Sequence, residues 1–233
     1  METEIPALLR AREMVAPERF TFHSSRMRMK HVTKEELAKM DADSDRCAAE
    51  LSDAGVDVMG YACLVAIMSM GHGYHRKSAE RLGQVTRDNG MPAEVITSAG
   101  ALVEGLQAMG AKKIAVVAPY MKPLTEMVVD YIRSEGFEVV DYRALEIQNN
   151  LEVAAHDPMN LPGIVAGMDT AEADVIVLSA CVQMPSLPAV TTVEAQSGKP
   201  VLTAAVATTW SMLKALDLPT RVPGGGALLS GAY

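Results

Sequence analysis

A pattern that occurs twice constrains the fold of this chain more than any other sequence feature. Residues 56–63 read VDVMGYAC and residues 174–181 read DVIVLSAC, so each is an apolar stretch ending in Ala-Cys. Beyond a helix-like stretch, each is followed by a second pattern, VITSAGALVEGL at 95–106 and VLTAAVATTWSM at 201–212. Apolar runs of this kind are typical of strands buried on both faces of a parallel sheet. The repetition predicts a duplicated α/β unit; chance similarity of two hydrophobic strands is the alternative.

The rest of the chain alternates between strand-like and helix-like stretches, the pattern of a parallel sheet covered by helices. The predicted strands are 20–29, 56–63, 93–97, 113–119, 137–142, 174–181 and 200–204. The predicted helices are 2–13, 33–53, 75–89, 98–109, 123–135, 160–170, 186–197 and 206–217. We predict an α/β fold of two pseudo-symmetric, flavodoxin-like halves with the active site between them. The N-terminal half comprises residues 1–97 and 206–233, and the C-terminal half comprises residues 98–205.

The predicted helix at 2–13 has no strand before it. In a βαβ unit a helix follows a strand, and the first strand of a doubly wound sheet is usually an interior one. We therefore expect the first strand of the N-terminal half to be absent from this chain, which either starts at an internal methionine or has been shortened.

Charge and composition argue against several classes of protein. The 233 residues carry a net charge of −8, which argues against a general binder of nucleic acids or acidic membranes. There is no apolar run of membrane-spanning length, and the opening METEIPALLR is not a signal peptide. Three cysteines, an odd number, indicate a reducing compartment rather than a disulfide framework. We expect a soluble cytoplasmic protein that binds neither nucleic acid nor membrane.

Cys63 and Cys181 are the leading catalytic candidates. Each ends a predicted strand, and open α/β sheets bind ligands at the carboxyl ends of their strands. A thiol there can face a helix N-terminus, whose partial positive charge lowers the pKa of the thiol. Two thiols in one pocket can divide the work between nucleophile and proton carrier. The alternative is a pair of buried core cysteines, as we expect for Cys47 inside the helix predicted at 33–53.

Other polar clusters have simpler interpretations. Asp41, Asp43 and Asp45 alternate along a predicted helix, which spreads them around a solvated face. His72 and His75 lie three residues apart with no third ligand at a recognisable spacing. For the histidines we predict a glycine-rich loop near a pocket, and no metal site.

Two polar sites follow the strand predicted at 113–119. Tyr120 begins the loop after it, and Asn149 and Asn150 lie in the loop after Glu146. Either the hydroxyl and the amides reach the same strand-end crevice or they satisfy loop backbone, and the residues alone leave both open.

Four stretches resemble the bacterial maleate cis-trans isomerases of the aspartate/glutamate racemase superfamily. They are GYACLVAIMSMGHGYH at 60–75, VAPYMKPLT at 117–125, SACVQMPSLPAV at 179–190 and GGALLSGAY at 225–233. The similarity runs along essentially the whole chain. A cysteine pair alone would indicate only the superfamily, whereas the Ala-Cys-Leu-Val and Ala-Cys-Val-Gln-Met-Pro-Ser contexts indicate the isomerases.

The resemblance implies isomerisation of maleate to fumarate without cofactor or metal, within nicotinate breakdown, by a homodimer. It implies that Cys63 is the nucleophile that forms a succinyl-cysteine adduct and that Cys181 donates and accepts the proton. The remaining roles it implies are substrate-carboxylate contacts by Tyr120 and Asn150, and pocket lining by Leu64, Val65 and Val182.

The chain departs from this family at its start. Relatives carry a strand and a Ser-Asn-Thr-Thr-like loop immediately before the Met-Glu-Thr-Glu that opens this chain, in agreement with the strand expected to be missing. Two alternatives stay open. One is a two-cysteine amino-acid racemase of the aspartate/glutamate type, for which the chain offers no clear carboxylate to hold an α-ammonium group. The other is a non-catalytic dicarboxylate binder.

Overall fold

The computed structural model describes residues 2–233, and Met1 lies outside them. The helices are α1 (Glu4–Glu13), α2 (Lys34–Ala42), α3 (Ser44–Ser52), α4 (Leu64–Met68), α5 (Tyr74–Asp88), α6 (Ser98–Ala108), α7 (Lys122–Ser134), α8 (Asn150–Ala154), α9 (Leu161–Ala166), α10 (Val190–Ser197) and α11 (Ala204–Ala215). The strands are β1 (Val58–Tyr61), β2 (Glu94–Thr97), β3 (Lys113–Ala118), β4 (Glu138–Ala144), β5 (Val175–Ser179) and β6 (Val201–Thr203). The predicted α/β fold is confirmed. None of the helices within residues 2–233 is long and apolar enough to cross a membrane.

The six strands form two sheets, and all their pairings are parallel. β1 and β2 make a two-stranded sheet, with Val58 opposite Glu94 and Tyr61 opposite Thr97. The other strands make a four-stranded sheet in the order β4–β3–β5–β6. The two central strands of this sheet, β3 and β5, are buried along nearly their whole length, from Ile114 to Ala118 and from Val175 to Ser179. This explains their uninterrupted apolar sequences.

The two copies of the repeated pattern fold alike. Each contains a strand that ends shortly before a cysteine and a later strand that leads directly into a long helix, β2 into α6 and β6 into α11. The Thr97 hydroxyl accepts a hydrogen bond from the N–H of Gly100 at 3.1 Å, and the Thr203 hydroxyl accepts one from Val206 at 3.1 Å. The threonine shared by the two copies is therefore a helix N-cap in both. Helices α6 and α11 pack against each other, and α11 also contacts β1 and β2. The division of the chain into halves after residues 97 and 205 stays a prediction.

The strand predicted at 20–29 is wrong, because no strand forms there. No strand of the described chain pairs with this segment, and side chains bond to single backbone groups of it and of the residues directly after it. Arg46 donates to the carbonyl oxygen of Arg26 at 3.0 Å, and the Glu36 carboxylate accepts the N–H groups of Lys30 and His31 at 2.7 and 2.8 Å. We refer to residues 25–33 as the strap.

Several helix boundaries also differ from the prediction. The helix predicted at 33–53 is two helices, α2 and α3, separated at Asp43. The helix predicted at 160–170 stops at Ala166, and the one predicted at 186–197 begins with a 3-10 turn that contains Pro188. The five-residue helices α4 and α8 were not predicted, because segments this short carry too little periodicity to distinguish them from loops.

Candidate functional site

A pocket lies where residues after the carboxyl ends of β1, β3 and β5 meet, so both sheets contribute to it. Its empty volume, including the mouth, is about 550 Å³, and its walls are mostly apolar. Seven residues were predicted to catalyse the reaction or to contact the substrate, and all of them line this pocket. They are Cys63, Leu64, Val65, Tyr120, Asn150, Cys181 and Val182.

Cys63 lies two residues after β1 and directly before α4. Burial raises the pKa of its thiol to about 12; the backbone N–H of Ala66 opposes this shift, and the neighbouring Cys181 adds to it. Ala66 lies in the first turn of α4, so the helix N-terminus does lower this pKa as predicted, but the loss of solvation is the larger effect and the net shift is upward. At neutral pH the resting thiol is protonated.

Cys181 begins the loop that leaves β5. Burial also raises the pKa of this thiol, while the Tyr120 hydroxyl and the backbone N–H groups of Met184 and Gln183 act in the opposite direction. The Ser179 hydroxyl donates to the carbonyl oxygen of Cys181 at 2.8 Å and fixes the start of the loop. No helix begins at this point of the described chain, so loop N–H groups face the sulfur in place of the predicted helix terminus.

Tyr120 follows β3 and is buried. Its hydroxyl donates to the carbonyl oxygen of Ala180 at 2.9 Å, and its own carbonyl oxygen accepts a hydrogen bond from the Thr125 hydroxyl at 3.1 Å. Loss of solvation, together with the nearby Cys181 and Cys63, raises the pKa of the phenol, which therefore stays protonated as a hydrogen-bond donor.

The two asparagines have different surroundings. The Asn149 side chain caps α8 by accepting the N–H of Leu151 at 2.9 Å, so it satisfies local backbone. Asn150 lines the pocket, and its backbone carbonyl oxygen accepts a hydrogen bond from the Gln183 side-chain amide at 2.6 Å. This contact connects α8 to the loop that carries Cys181.

The strap covers one side of the pocket. Met29 and Val32 belong to the pocket wall, and His31 forms a single antiparallel bridge with Asn149. The wall also contains Met121, Leu124 and Ile147. No sequence pattern indicated these residues, because they reach the pocket through tertiary packing. Gln183 also belongs to the wall, and its position two residues after Cys181 was a signal.

The histidines lie outside this pocket. His75 is in the first turn of α5, at the start of the helix predicted over 75–89, and its Nδ1 is hydrogen bonded to the Tyr131 hydroxyl. His72 pairs with Asp130 at 2.8 Å. Within residues 2–233 no group of three or more His, Cys, Asp or Glu side chains could hold a metal ion. Cys47 is buried in α3, away from the pocket lining.

The solvated face predicted for the alternating aspartates is wrong for Asp41. Its carboxylate is buried and accepts hydrogen bonds from the Tyr74 hydroxyl at 2.6 Å and from Arg81 at 3.1 Å. Asp43 and Asp45 are only partly exposed, and both form ion pairs, with Arg46 and Arg81 respectively. The break between α2 and α3 changes the helical phase on which the prediction depended.

Comparison with known proteins adds independent information. The profile of the arylmalonate decarboxylase family (Amdase) matches residues 6–229. A maleate isomerase from Pseudomonas putida is 75% identical over 233 residues, which cover 100% of this chain and 93% of that protein.

Two solved structures are closely similar to this one. One is a cysteine-to-alanine variant of the maleate isomerase Iso from Pseudomonas putida S16, with maleate. It is 78% identical to this chain with a TM-score of 0.99, and the match covers 100% of this chain and 93% of that chain. A cysteine-to-serine variant of the Nocardia farcinica maleate cis-trans isomerase is 46% identical with a TM-score of 0.95, covering 100% of this chain and 94% of that one. That variant contains a covalently bound succinylcysteine intermediate.

Proposed function

The chain belongs to the maleate isomerase family, and we propose that it converts maleate to fumarate without a cofactor, through a succinyl-cysteine adduct on Cys63. The observation that carries the proposal is the pair of thiols, Cys63 and Cys181, that line one pocket from the corresponding strand ends of a duplicated unit. The succinylcysteine in the Nocardia relative supports the covalent route.

The first step is addition to the double bond. The Cys63 sulfur, as thiolate, forms a bond to one alkene carbon of maleate, and the π electrons move onto the carboxylate of the other carbon as an enediolate. The Cys181 thiol gives its proton to that other carbon, which leaves Cys181 as thiolate. The former double bond is now a single bond, about which the two carboxylates can rotate.

The second step reverses the addition after rotation. The Cys181 thiolate removes a proton from the carbon that it protonated, the double bond forms again, and the Cys63 thiolate leaves. The product is fumarate, in which the two carboxylates no longer crowd each other, and both thiols return to their starting state. The substrate's own carboxylate is the electron sink, so the chemistry requires no cofactor or metal.

The pocket has the features that such an intermediate needs. We assign the carboxylate contacts to Tyr120 and Asn150, which line the pocket together with Leu64, Val65 and Val182. The single hydroxyl proton of Tyr120 then turns from the Ala180 carbonyl oxygen to the substrate carboxylate. Hydrogen-bond donors in an apolar, water-poor site stabilise a developing enediolate far more than donors in water do, and removal of one such donor typically costs about 10²–10³ in rate.

Burial of the thiols is consistent with this chemistry. A neutral resting pair avoids two thiolates in a dry site that must also accept a dianion. We propose that Cys63 gives its proton to a carboxylate of maleate as the substrate binds and takes it back when its thiolate leaves the adduct. The high resting pKa then prevents adventitious reaction of the free enzyme.

We further propose a cytoplasmic homodimer that acts in nicotinate breakdown. The family resemblance supports the pathway and the dimer, and the three free cysteines are consistent with a reducing compartment. Light scattering of the purified protein at micromolar concentration tests the dimer, for which a monomer mass would be the contrary result.

A proton NMR time course of maleate tests the proposed reaction. We expect fumarate from the parent chain and from a Cys47→Ala control, which changes the cysteine outside the pocket, and none from Cys63→Ala. Acid-quenched parent should show a fraction of enzyme heavier by one maleic acid, and Cys63→Ala should show none. Racemisation of aspartate without action on maleate would instead indicate the racemase alternative. Maleate binding without turnover by folded parent would indicate the non-catalytic binder.

A further inference from the structure

A buried carboxylate from the start of the chain holds the end of the loop that carries Cys181. Glu4, in the first turn of α1, accepts the backbone N–H groups of Ser186 at 2.6 Å and Leu187 at 2.5 Å, and it also accepts the Ser186 hydroxyl at 3.2 Å. Glu4 is only 6% exposed and Ser186 is fully buried. Hydrogen bonds to charged groups are among the strongest in proteins, and a buried carboxylate retains its charge only with such partners.

The position of Glu4 is fixed independently of the loop. The same helix buries Ile5, Leu8 and Leu9 and packs against α11. The carboxylate therefore belongs to a rigid helix, and the loop it contacts is more than 180 residues away in sequence.

The loop between Cys181 and Ser186 surrounds the Cys181 sulfur. The N–H groups of Gln183 and Met184 face the thiol, and the Met184 side chain is fully buried. The Ser179 hydroxyl fixes the start of this loop and the Glu4 carboxylate fixes its end. The direction of the two N–H groups depends on these two anchors together with the bond from the Gln183 side chain to Asn150.

We propose that Glu4 is a positioning residue for Cys181, which holds the loop so that the sulfur can exchange a proton with the carbon of the Cys63 adduct. The inference rests on the proposed function and extends it to a residue that does not line the pocket.

The two proton transfers differ in how much they need this positioning. An enediolate can take a proton from any nearby donor, including water, whereas removal of a proton from carbon requires a base held at the right distance and angle. A displaced Cys181 should therefore slow breakdown of the adduct more than its formation. The adduct should then accumulate during turnover.

The test compares Glu4→Gln with Glu13→Gln. Glu13 is a matched control at the other end of α1, because it also accepts a backbone N–H, that of Phe20 at 2.8 Å, but has no link to the Cys181 loop. For Glu4→Gln we expect kcat to fall about tenfold or more, part of the 10²–10⁴ that a positioned acid–base typically contributes. In the same variant, the fraction carrying the maleic acid adduct, measured by intact mass after acid quenching during turnover, should rise several-fold.

A purely structural role gives a different result. Loss of folded protein lowers turnover and adduct together, whereas mispositioning lowers turnover and raises adduct. Unchanged kcat in Glu4→Gln, or a lower kcat without more adduct than in Glu13→Gln, would overturn the inference. If Glu4→Gln does not fold, Ser186→Ala replaces it in the test, because it removes one of the three donors to the Glu4 carboxylate. It should lower kcat and raise the adduct fraction by smaller amounts. No rise in the adduct fraction of Ser186→Ala would also overturn the inference. Failure of the proposed function is recognised separately, since the parent would then form no fumarate.

Discussion

The hydroxyl of Tyr120 donates a 2.9 Å hydrogen bond to the carbonyl oxygen of Ala180, the residue directly before Cys181. The bond connects the carboxyl end of β3 to the carboxyl end of β5 inside a buried region. The same hydroxyl faces the Cys181 sulfur and lowers the pKa of that thiol against the effect of burial. Tyr120 therefore fixes the backbone beside one catalytic candidate as well as facing the pocket.

Replacement of this tyrosine tests both effects. Tyr120→Phe leaves the buried Ala180 carbonyl oxygen without its donor, which typically costs about 1–3 kcal/mol of unfolding free energy. For a domain of this size each kcal/mol lowers Tm by about 2–4 °C. Differential scanning calorimetry measures the shift, and the NMR assay should show kcat reduced about 100-fold, in the range for a lost preorganised donor. Tyr142→Phe, which removes a hydroxyl bonded to the exposed Glu126, is the control and should change neither quantity appreciably.

The raised pKa of Cys63 predicts how its reactivity depends on pH. In a Cys47→Ser/Cys181→Ser variant, only Cys63 can react with iodoacetamide. Because the thiolate is the reactive form and the pKa is about 12, the thiolate fraction and the alkylation rate of the free enzyme should rise about tenfold per pH unit between pH 7 and 10. Mass spectrometry of timed samples measures the rate. A plateau near pH 9 would mean an ordinary thiol and would contradict the burial argument.

The strap should respond to loss of its anchor. The backbone N–H groups of His31 and Lys30, with the His31 side chain, lower the pKa of Glu36 to about 2 from its ordinary value of 4.5. A pKa lowered by folding means that this contribution to stability is complete above about pH 4.5 and is lost as the pH falls through about 2. Glu36→Gln should mimic the protonated state at neutral pH and loosen the wall that contains Met29 and Val32.

For Glu36→Gln we expect a several-fold rise in KM for maleate with little change in kcat, the pattern of lost ground-state binding. Glu35→Gln, a change of the neighbouring exposed acid in the same helix, is the control. Equal KM values for the two variants would show that the strap does not contribute to binding.

The glycine-rich C-terminal segment should tolerate no added methyl group at Gly226. This residue has φ of 71°, and a Cβ there would lie 2.7 Å from the Val190 side chain. Gly226→Ala should therefore cost about 1–2 kcal/mol for the left-handed backbone and about 1–3 kcal/mol for overpacking. Gly110→Ala separates these costs, since Gly110 has φ of 67° but open space around it. Urea unfolding of both variants measures the difference, and equal losses would contradict the steric part.

Much of the fold was accessible from the sequence because its signals are local. The apolar runs of β3 and β5 and the repeated Ala-Cys strand ends each reflect the environment of a single element. Segments without such a signal were missed or misassigned. Residues 20–29 have strand-like composition but no partner strand, and pairing is a property of two segments rather than one.

The site shows the same division. The sequence by itself determined that two cysteines follow equivalent buried strands, since strand periodicity and the repeat require only neighbouring residues. It did not determine the ionisation of these thiols, because the pKa depends on how completely the surrounding chain removes water, and burial outweighed the helix terminus that the local pattern indicated. Nor did it connect Glu4 with the Cys181 loop or place Met29 in the pocket wall. Those contacts join residues far apart in the chain, and only the packed tertiary structure brings them within hydrogen-bonding or van der Waals distance.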